Sequence, residues 1–315
     1  MINNIKNTLY NKDIKGFTFK INILKNFKIF YFIAVFLSVI SFFSIFFLGF
    51  NKSVDFAGGF IMNISCKNTN QDGLDTSKCL EETKSILSKY HKNPSEFKTL
   101  DNYIVVQFNS QDISTINDVD DLKSFISSSE KLDIVKSDFI NKKFGSQIIK
   151  NGILAIILTL VGIFIYLFIR FSFAFAISAT ITLLHDTIVL LGFISIARIE
   201  MNLSIVAAIL TVVGYSVNDS VIIFDRIRQN LALYKSKLSL YEIVCGSVMQ
   251  TLSRTVITSL TTLFSIIAII LFAGSPVVSF GYTVLFGIIL GTYSSIFLSA
   301  PLLFWLQKFD KNLQH

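Results

Sequence analysis

The chain has 315 residues, of which 52% are hydrophobic and only 16% are charged, and its mean hydropathy is +0.61. Soluble domains carry about a quarter of their residues as charged side chains, so this composition excludes an ordinary soluble protein and indicates an integral membrane protein. The net charge of +7 comes largely from lysines before the first apolar run and in the loops. That distribution is typical of membrane topology and of contact with anionic lipid, and not of nucleic-acid binding.

Six apolar runs are long enough to cross the hydrocarbon core, which takes about 20 helical residues. Residues 1–28 are predicted to be a cytoplasmic arm, and residues 29–49 the first span, which is too long for a cleaved signal peptide. The other spans are predicted near 148–169, 173–196, 203–224, 252–273 and 278–305, with a cytoplasmic loop over 225–251 and a cytoplasmic tail over 306–315. Six spans place both termini on one side, and the basic loops indicate that this side is the cytoplasm.

Residues 50–147 hold the one sizeable polar segment of the sequence and are predicted to form a periplasmic domain. Alternating apolar residues predict strands over 60–66, 103–108 and 131–140. Helical spacing predicts helices over 77–90 and 117–128. The domain is therefore predicted to be a small α+β fold, ferredoxin-like in outline.

Cysteine and nucleotide-binding patterns point to no cofactor chemistry. Cys66 and Cys79 share the outer segment and could pair in an oxidising compartment, but their spacing leaves this open. No CxxC or Cys/His cluster occurs, and no GxxxxGK[ST] loop occurs, anywhere in the sequence. We therefore expect neither a metal nor any other cofactor, and we expect a transport component and not an enzyme.

Ionisable residues inside the predicted spans are the candidate functional residues. A charged side chain at the bilayer centre costs about 2.5–3.5 kcal/mol on insertion scales, so it is a functional candidate by default. Asp219 lies in one span, and Arg254, at the start of the next span, is its expected partner. A nearby cation and desolvation act in opposite directions on a carboxyl group's affinity for a proton. Helix movement would then let the pair work as a proton relay, although a static contact between helices is the alternative.

Four further residues are expected beside this pair. They are Asn218, His185, Asp186 and Thr258. Thr258 belongs to a stripe at positions 254, 258, 261 and 265, which fall on one helical face. For His185 and Asp186 a role in the relay and a role as hydrogen-bonding contacts between helices are both open.

Two other sets of residues have structural interpretations. Asp225, Arg226 and Arg228 lie at the cytoplasmic boundary and are expected to be membrane-edge anchors or partner contacts. Gly287 and Gly291 form a GxxxG motif, which lets helix backbones approach closely. Packing within the chain and packing against another subunit both fit this motif.

The order of these motifs resembles the SecF family, whose members are membrane subunits of the bacterial protein-export machinery. The resemblance covers nearly the whole chain: one span, an extracytoplasmic domain and five further spans. The motifs that carry it are Val54-Asp-Phe-Ala-Gly-Gly59, Ile169-Arg-Phe171, Leu184-His-Asp186, Gly214-Tyr-Ser-Val-Asn-Asp219, Phe224-Asp-Arg-Ile-Arg228, Ser253-Arg-Thr255, Thr258-Ser-Leu-Thr-Thr262 and Gly291-Thr-Tyr-Ser-Ser295.

This resemblance implies a six-helix, RND-like half in the bacterial inner membrane, paired with a SecD-like subunit. It implies association with the SecYEG channel and use of the proton-motive force to help a translocating preprotein leave that channel. In the family, the aspartate of the Asn-Asp motif and the arginine of the Ser-Arg-Thr motif are implicated in proton passage. They correspond to Asp219 and Arg254.

Two other functions stay open at this point. A proton-driven small-molecule exporter of RND type would use the same chemistry but usually has larger outer domains. A non-catalytic assembly subunit would use Asp219 and Arg254 only to hold helices together. An intramembrane aspartyl protease, suggested by Asp186 and Asp219, is disfavoured because Val217-Asn218 precedes Asp219 where a Gly-x-Gly-Asp setting is needed.

Overall fold

The computed structural model describes residues 27–66, 76–89, 94, 96–100, 103–109, 113, 115–129, 131–273 and 275–312. The predicted arm over 1–28 lies outside these residues except for its last two, as does the end of the predicted tail from 313 onward. Within the described ranges, six helical runs are long and apolar enough to cross a membrane: Lys28–Leu48, Lys142–Arg170, Phe173–Ile196, Leu203–Tyr234, Leu240–Phe272 and Val277–Gln307. The predicted class, a six-span helical membrane protein, is confirmed.

The first membrane helix, α1 (Phe27–Leu48), ends at Gly49, whose φ of 61° suits a residue without a Cβ atom. An extramembrane domain follows it. Its elements are β1 (Asn51–Lys52), α2 (Val54–Ala57), β2 (Gly59–Cys66), α3 (Thr76–Leu87), β3 (Glu96–Leu100), β4 (Tyr103–Asn109), α4 (Ile116–Ser127) and β5 (Leu132–Ile140).

Four strands of this domain form an antiparallel sheet in the spatial order β3-β4-β2-β5. With α3 after β2 and α4 after β4, the chain order is βαββαβ, so the predicted ferredoxin-like outline is confirmed. Phe60, Met62 and Ile64 alternate along β2 and are fully buried. They lie opposite Phe108, Val106 and Ile104 of β4, and both helices cover this apolar face.

The strand β3 was not predicted, because it is an edge strand with a weak alternating pattern. It pairs only with β4 among the strands described, and its sequence, Glu-Phe-Lys-Thr-Leu, carries little apolar surface. The pairing of cysteines that the sequence left open is resolved by the structure. A disulfide joins Cys66, at the end of β2, to Cys79 in α3.

The domain is packed closely onto one edge of the helical block. A Cβ atom on Gly145 would lie 2.8 Å from the backbone oxygen of Phe56, and one on Gly58 would lie 2.7 Å from Cα of Lys142. The short strand β1 pairs in parallel with β6 (Glu200–Met201), which lies between the third and fourth spans. The end of the first span, the start of the second span and the connection between the third and fourth spans therefore meet the domain at the same edge.

The remaining spans are α5 (Lys142–Arg170), α6 (Phe173–Ile196), α7 (Leu203–Tyr234), α8 (Leu240–Phe272) and a last helical run. That run consists of α9 (Ser275–Ser294), a π-helical segment (Ser295–Ser299) and α10 (Ala300–Asn312). The apolar length of this stretch gave no indication that part of it would be π-helical.

The predicted loop over 225–251 is wrong, because α7 and α8 both continue through most of it and leave only residues 235–239 between them. Hydropathy falls where a helix leaves the hydrocarbon, but the helix itself need not end there. Ser239 and Glu242 form a capping box that starts α8. Asn230 of α7 donates a 2.8 Å hydrogen bond to Ser247 of α8, and both side chains are buried.

Candidate functional site

Asp219 lies on α7 and is fully buried, with 0% of its surface exposed. Neither carboxyl oxygen has a hydrogen-bond partner among the residues described. Burying a charged group without a hydrogen bond or an ion pair costs several kcal/mol. The structure therefore holds Asp219 where a negative charge on it is unfavourable.

Arg254 lies on α8 and is exposed at the surface of the chain. It is near enough to Asp219 for a Coulombic interaction, but no hydrogen bond or ion pair within 4.0 Å joins the two in the described structure. The expected side-by-side contact is therefore not formed in this conformation. The physical reason is their different burial: the carboxyl group of Asp219 is enclosed among the helices, whereas Arg254 is exposed.

The hydroxyl stripe of α8 lies on the outward face that Arg254 shares. Thr261 and Ser265 are exposed and Thr258 is half-buried. Each hydroxyl donates to a carbonyl one turn earlier, Thr258 to Arg254 at 3.0 Å and Ser265 to Thr261 at 3.1 Å. Asn218 of α7 is also exposed. Polar groups thus lie on the outer faces of two spans at membrane depth.

A second buried carboxylate, Asp186 of α6, is well satisfied. Its Oδ2 accepts hydrogen bonds from Ser216 of α7 at 2.8 Å and from Ser294 of α9 at 2.6 Å. Its Oδ1 lies 3.0 Å from Nδ1 of His185. Asp186 therefore ties three helices together. Ser216 and Ser294 both lie in motifs that carry the resemblance, but neither was predicted to be a site residue. The available signal was that both serines follow glycine-containing turns of apolar helices, where a small hydroxyl is buried.

The other ring nitrogen of His185, Nε2, takes no part in this network. Nε2 is buried and has no hydrogen-bond partner within the described ranges. The ring lines a mainly apolar groove of about 440 Å³ between α1 and α6, where Ser38 supplies a hydroxyl. In the same ranges, no group of three or more histidine, cysteine, aspartate or glutamate side chains is placed to hold a metal ion.

The predicted boundary residues contact one another and the neighbouring helices. Arg228 forms an ion pair of 2.8 Å with Asp225 and donates to the backbone oxygen of Arg170, at the end of α5. Arg226 donates to Gln250 of α8 and, at 3.2 Å, to Gln229. These contacts join the ends of α5, α7 and α8.

The GxxxG glycines lie where α9 packs against α7 of the same chain. A Cβ atom on Gly287 would lie 2.3 Å from the side chain of Val212, and one on Gly291 would lie 3.0 Å from that of Ser216. Close approach of α9 also brings Ser294 to Asp186. The motif therefore has a role within the chain.

A block of six spans with buried carboxylates and a small ferredoxin-like domain after its first span defines a multi-pass membrane protein of transporter type. The profile of the family described as "Protein export membrane protein SecD/SecF, C-terminal" matches residues 121–309. The "Protein translocase subunit SecF" of Rickettsia conorii is 38% identical over 293 residues, covering 91% of this chain and 92% of that protein. That of Rickettsia bellii is 38% identical over 291 residues, with coverages of 90% and 93%. The chain belongs to the SecD/SecF family of protein-export membrane proteins.

Solved structures of SecDF share its fold. The crystal structure of SecDF from Thermus thermophilus, described as a translocon-associated membrane protein, superposes with a TM-score of 0.75 at 28% identity over 94% of this chain. A SecDF structure in a super-membrane-facing form gives 0.68 at 27% identity over 93%. This chain spans only 39% and 40% of those polypeptides. The family assignment makes the chain a transport component and favours protein export over small-molecule efflux.

Proposed function

We propose that this chain is the SecF half of a SecD–SecF pair that uses the proton-motive force to help preproteins leave the SecYEG channel. Its relatives are named SecF, and the solved SecDF chains are more than twice as long as the part it matches. That ratio leaves room for a second half of similar size. The observation that carries the proton-coupled part is Asp219, which is fully buried in a span and whose carboxyl oxygens accept no hydrogen bond from any residue that the structure describes.

The outward polar face of α7 and α8 is evidence that a second subunit binds this chain within the membrane. Asn218, Arg254 and Thr261 are exposed there, yet lipid tails offer no hydrogen bonds to such groups. Polar residues in spans usually face a bundle interior or a water-filled cavity. A SecD-like subunit covering this face would place its own polar groups against these residues and complete a path for protons.

The proposed relay depends on the distance between Asp219 and Arg254. In the present conformation the guanidinium forms no ion pair with the carboxyl group, and a buried carboxyl group without such a partner is an unfavourable place for a negative charge. Movement of α8 towards α7 would bring the cation nearer and favour proton release. Asn218 immediately precedes Asp219 on α7 and Thr258 lies one turn after Arg254 on α8, so both would be near the path of a proton between the two. His185 and Asp186 would hold α6 against this moving region.

The proposed orientation places the extramembrane domain in the periplasm and both termini in the cytoplasm. Arg170, Arg226 and Lys235 lie at the edge of the helical block opposite the domain, because α5 begins at the domain and ends at Arg170. The positive-inside rule assigns that edge to the cytoplasm. The disulfide between Cys66 and Cys79 also suits an oxidising compartment.

The proposal is tested by preprotein export into membrane vesicles, with and without a proton gradient. Asp219→Asn removes the ionisable group with little change in volume, and we expect it to abolish the gradient-dependent part of export while the pair with the SecD-like subunit still assembles. Asp225→Asn is the matched control, because it removes a carboxylate from the same helix outside the relay. Gradient-dependent export that persists in Asp219→Asn would refute the relay and favour the assembly-subunit interpretation.

A further inference from the structure

A polar cavity of about 490 Å³ opens between α5, α7 and α8 at the edge of the helical block opposite the extramembrane domain. Arg170, Arg226 and Arg254 line it, one from each helix. Asp225 is the single carboxylate in this lining, and it already accepts hydrogen bonds from Arg228 and Gln229. Three guanidinium groups against one carboxylate leave the lining with a net charge of +2.

Much of the hydrogen-bonding capacity of these arginines is unused. Each guanidinium carries five N–H donors. Arg226 donates to Gln250 and Gln229, whereas the guanidinium groups of Arg170 and Arg254 donate no hydrogen bond to any other residue that the structure describes. Planar guanidinium groups match the oxygen atoms of a phosphate closely. The cavity thus fits an anion with several acceptor oxygens, and a phosphate monoester or diester fits best.

The position of the cavity indicates the source of the phosphate. Arg170 is the last residue of α5, so the cavity lies at headgroup depth. Tyr166 and Phe171 also line it, and aromatic side chains are enriched at this depth in membrane proteins. Further into the membrane α5 presents exposed apolar residues, among them Leu158 and Val161, along which acyl chains would lie. Basic pockets between spans are typical binding sites for anionic lipid headgroups.

We propose that this cavity binds the phosphate of an anionic phospholipid, with Arg170 and Arg226 as its main ligands. The lipid seals the junction of the three helices on the side away from the extramembrane domain. Arg254 contributes charge to the same site. Binding does not depend on proton transfer, so the proposal stands or falls separately from the relay at Asp219.

The test measures retained lipid by native mass spectrometry of the full chain, purified with its SecD-like partner from nanodiscs of phosphatidylglycerol or phosphatidylcholine. We expect wild type to retain phosphatidylglycerol selectively. The double variant Arg170→Gln/Arg226→Gln should bind it at least about tenfold more weakly, since it loses several charge-assisted hydrogen bonds. Lys235→Gln is the matched control, because it removes a positive charge at the same edge outside the cavity lining.

A second variant keeps the proposal falsifiable if the double glutamine variant fails to fold. Arg170→Lys/Arg226→Lys retains the charge but loses the planar fork of donors, and it should bind the lipid with intermediate strength. Three results would overturn the proposal. They are equal weakening by Lys235→Gln, displacement of the lipid by soluble glycerol 3-phosphate at equal concentration, and retention of lipid by the isolated chain but not by the pair, which would make the cavity a subunit contact.

Discussion

Ser294 of α9 donates a hydrogen bond of 2.6 Å to Asp186 of α6, and the helix changes from α to π geometry at the next residue. At the other end of the π-helical segment, Ser178 of α6 donates a 2.6 Å hydrogen bond to the backbone oxygen of Ser299. Helix α6 therefore binds both ends of the π-helical segment. Such segments are rare and often occur at functional sites, and this one lies beside the buried carboxylate that joins α6, α7 and α9.

Replacing Ser294 by alanine should destabilise this junction. Asp186 would keep its bond from Ser216 but lose the shorter one, and a hydrogen bond to a charged group contributes about 1.5–3 kcal/mol. We expect a lower thermal unfolding midpoint in detergent. Ser265→Ala is the matched control, since that hydroxyl lies on an exposed face and donates only to Thr261 one turn earlier. Equal midpoints for the two variants would show that the Asp186 network does not stabilise the fold.

Close packing of α9 on α7 leads to a prediction for the glycines. Gly287→Ala would place a Cβ atom 2.3 Å from Val212, so the helices must separate or the valine must rearrange, and overpacking of this kind costs about 1–3 kcal/mol. Gly214→Ala adds the same methyl group in a helix where nothing lies within 4 Å. That control should be neutral or slightly stabilising, because alanine favours helix more than glycine does. The thermal unfolding midpoints of both variants test this prediction. A midpoint of Gly287→Ala equal to that of wild type would show that α9 is not closely packed against α7.

Apolar length and alternation in the sequence were enough to predict the six spans and the ferredoxin-like domain. The length follows from the thickness of the hydrocarbon core, and the alternation follows from burial of one face of the sheet. Asp219 could be singled out because a carboxylate in an apolar run is unusual whatever the fold. Its contacts could not be predicted, because spacing along α8 places Arg254 on a face without saying which way that face points. Ser216 and Ser294 lie in motifs of the resemblance but were given no role of their own, because a buried serine becomes informative only when the structure shows Asp186 opposite it.

The disulfide of the extramembrane domain should contribute to the stability of that domain alone. Cys66 and Cys79 are 13 residues apart, and a loop of about 15 residues corresponds to about 3 kcal/mol in the chain-entropy account. We expect Cys66→Ser/Cys79→Ser to increase proteolysis between β2 and β4 while the membrane helices stay intact. Cys245→Ser, which changes the free cysteine of α8, serves as the control. Unchanged protease resistance in the double variant would mean that the sheet and its helices suffice without the bond.

The outward face of α8 should be the face that the SecD-like partner covers. A photo-crosslinking amino acid at Thr261, an exposed member of the polar stripe, is expected to give a covalent adduct with the partner subunit in the native membrane. The same probe at Phe168, which is 51% exposed on α5, is expected to react with lipid, because its surroundings are apolar and carry no polar stripe. Polar groups at membrane depth require a protein or water neighbour, whereas apolar groups do not. Adducts with the partner at position 168 and none at 261 would place the interface on α5 and would leave Arg254 without the partner's polar groups that the proposed proton path needs.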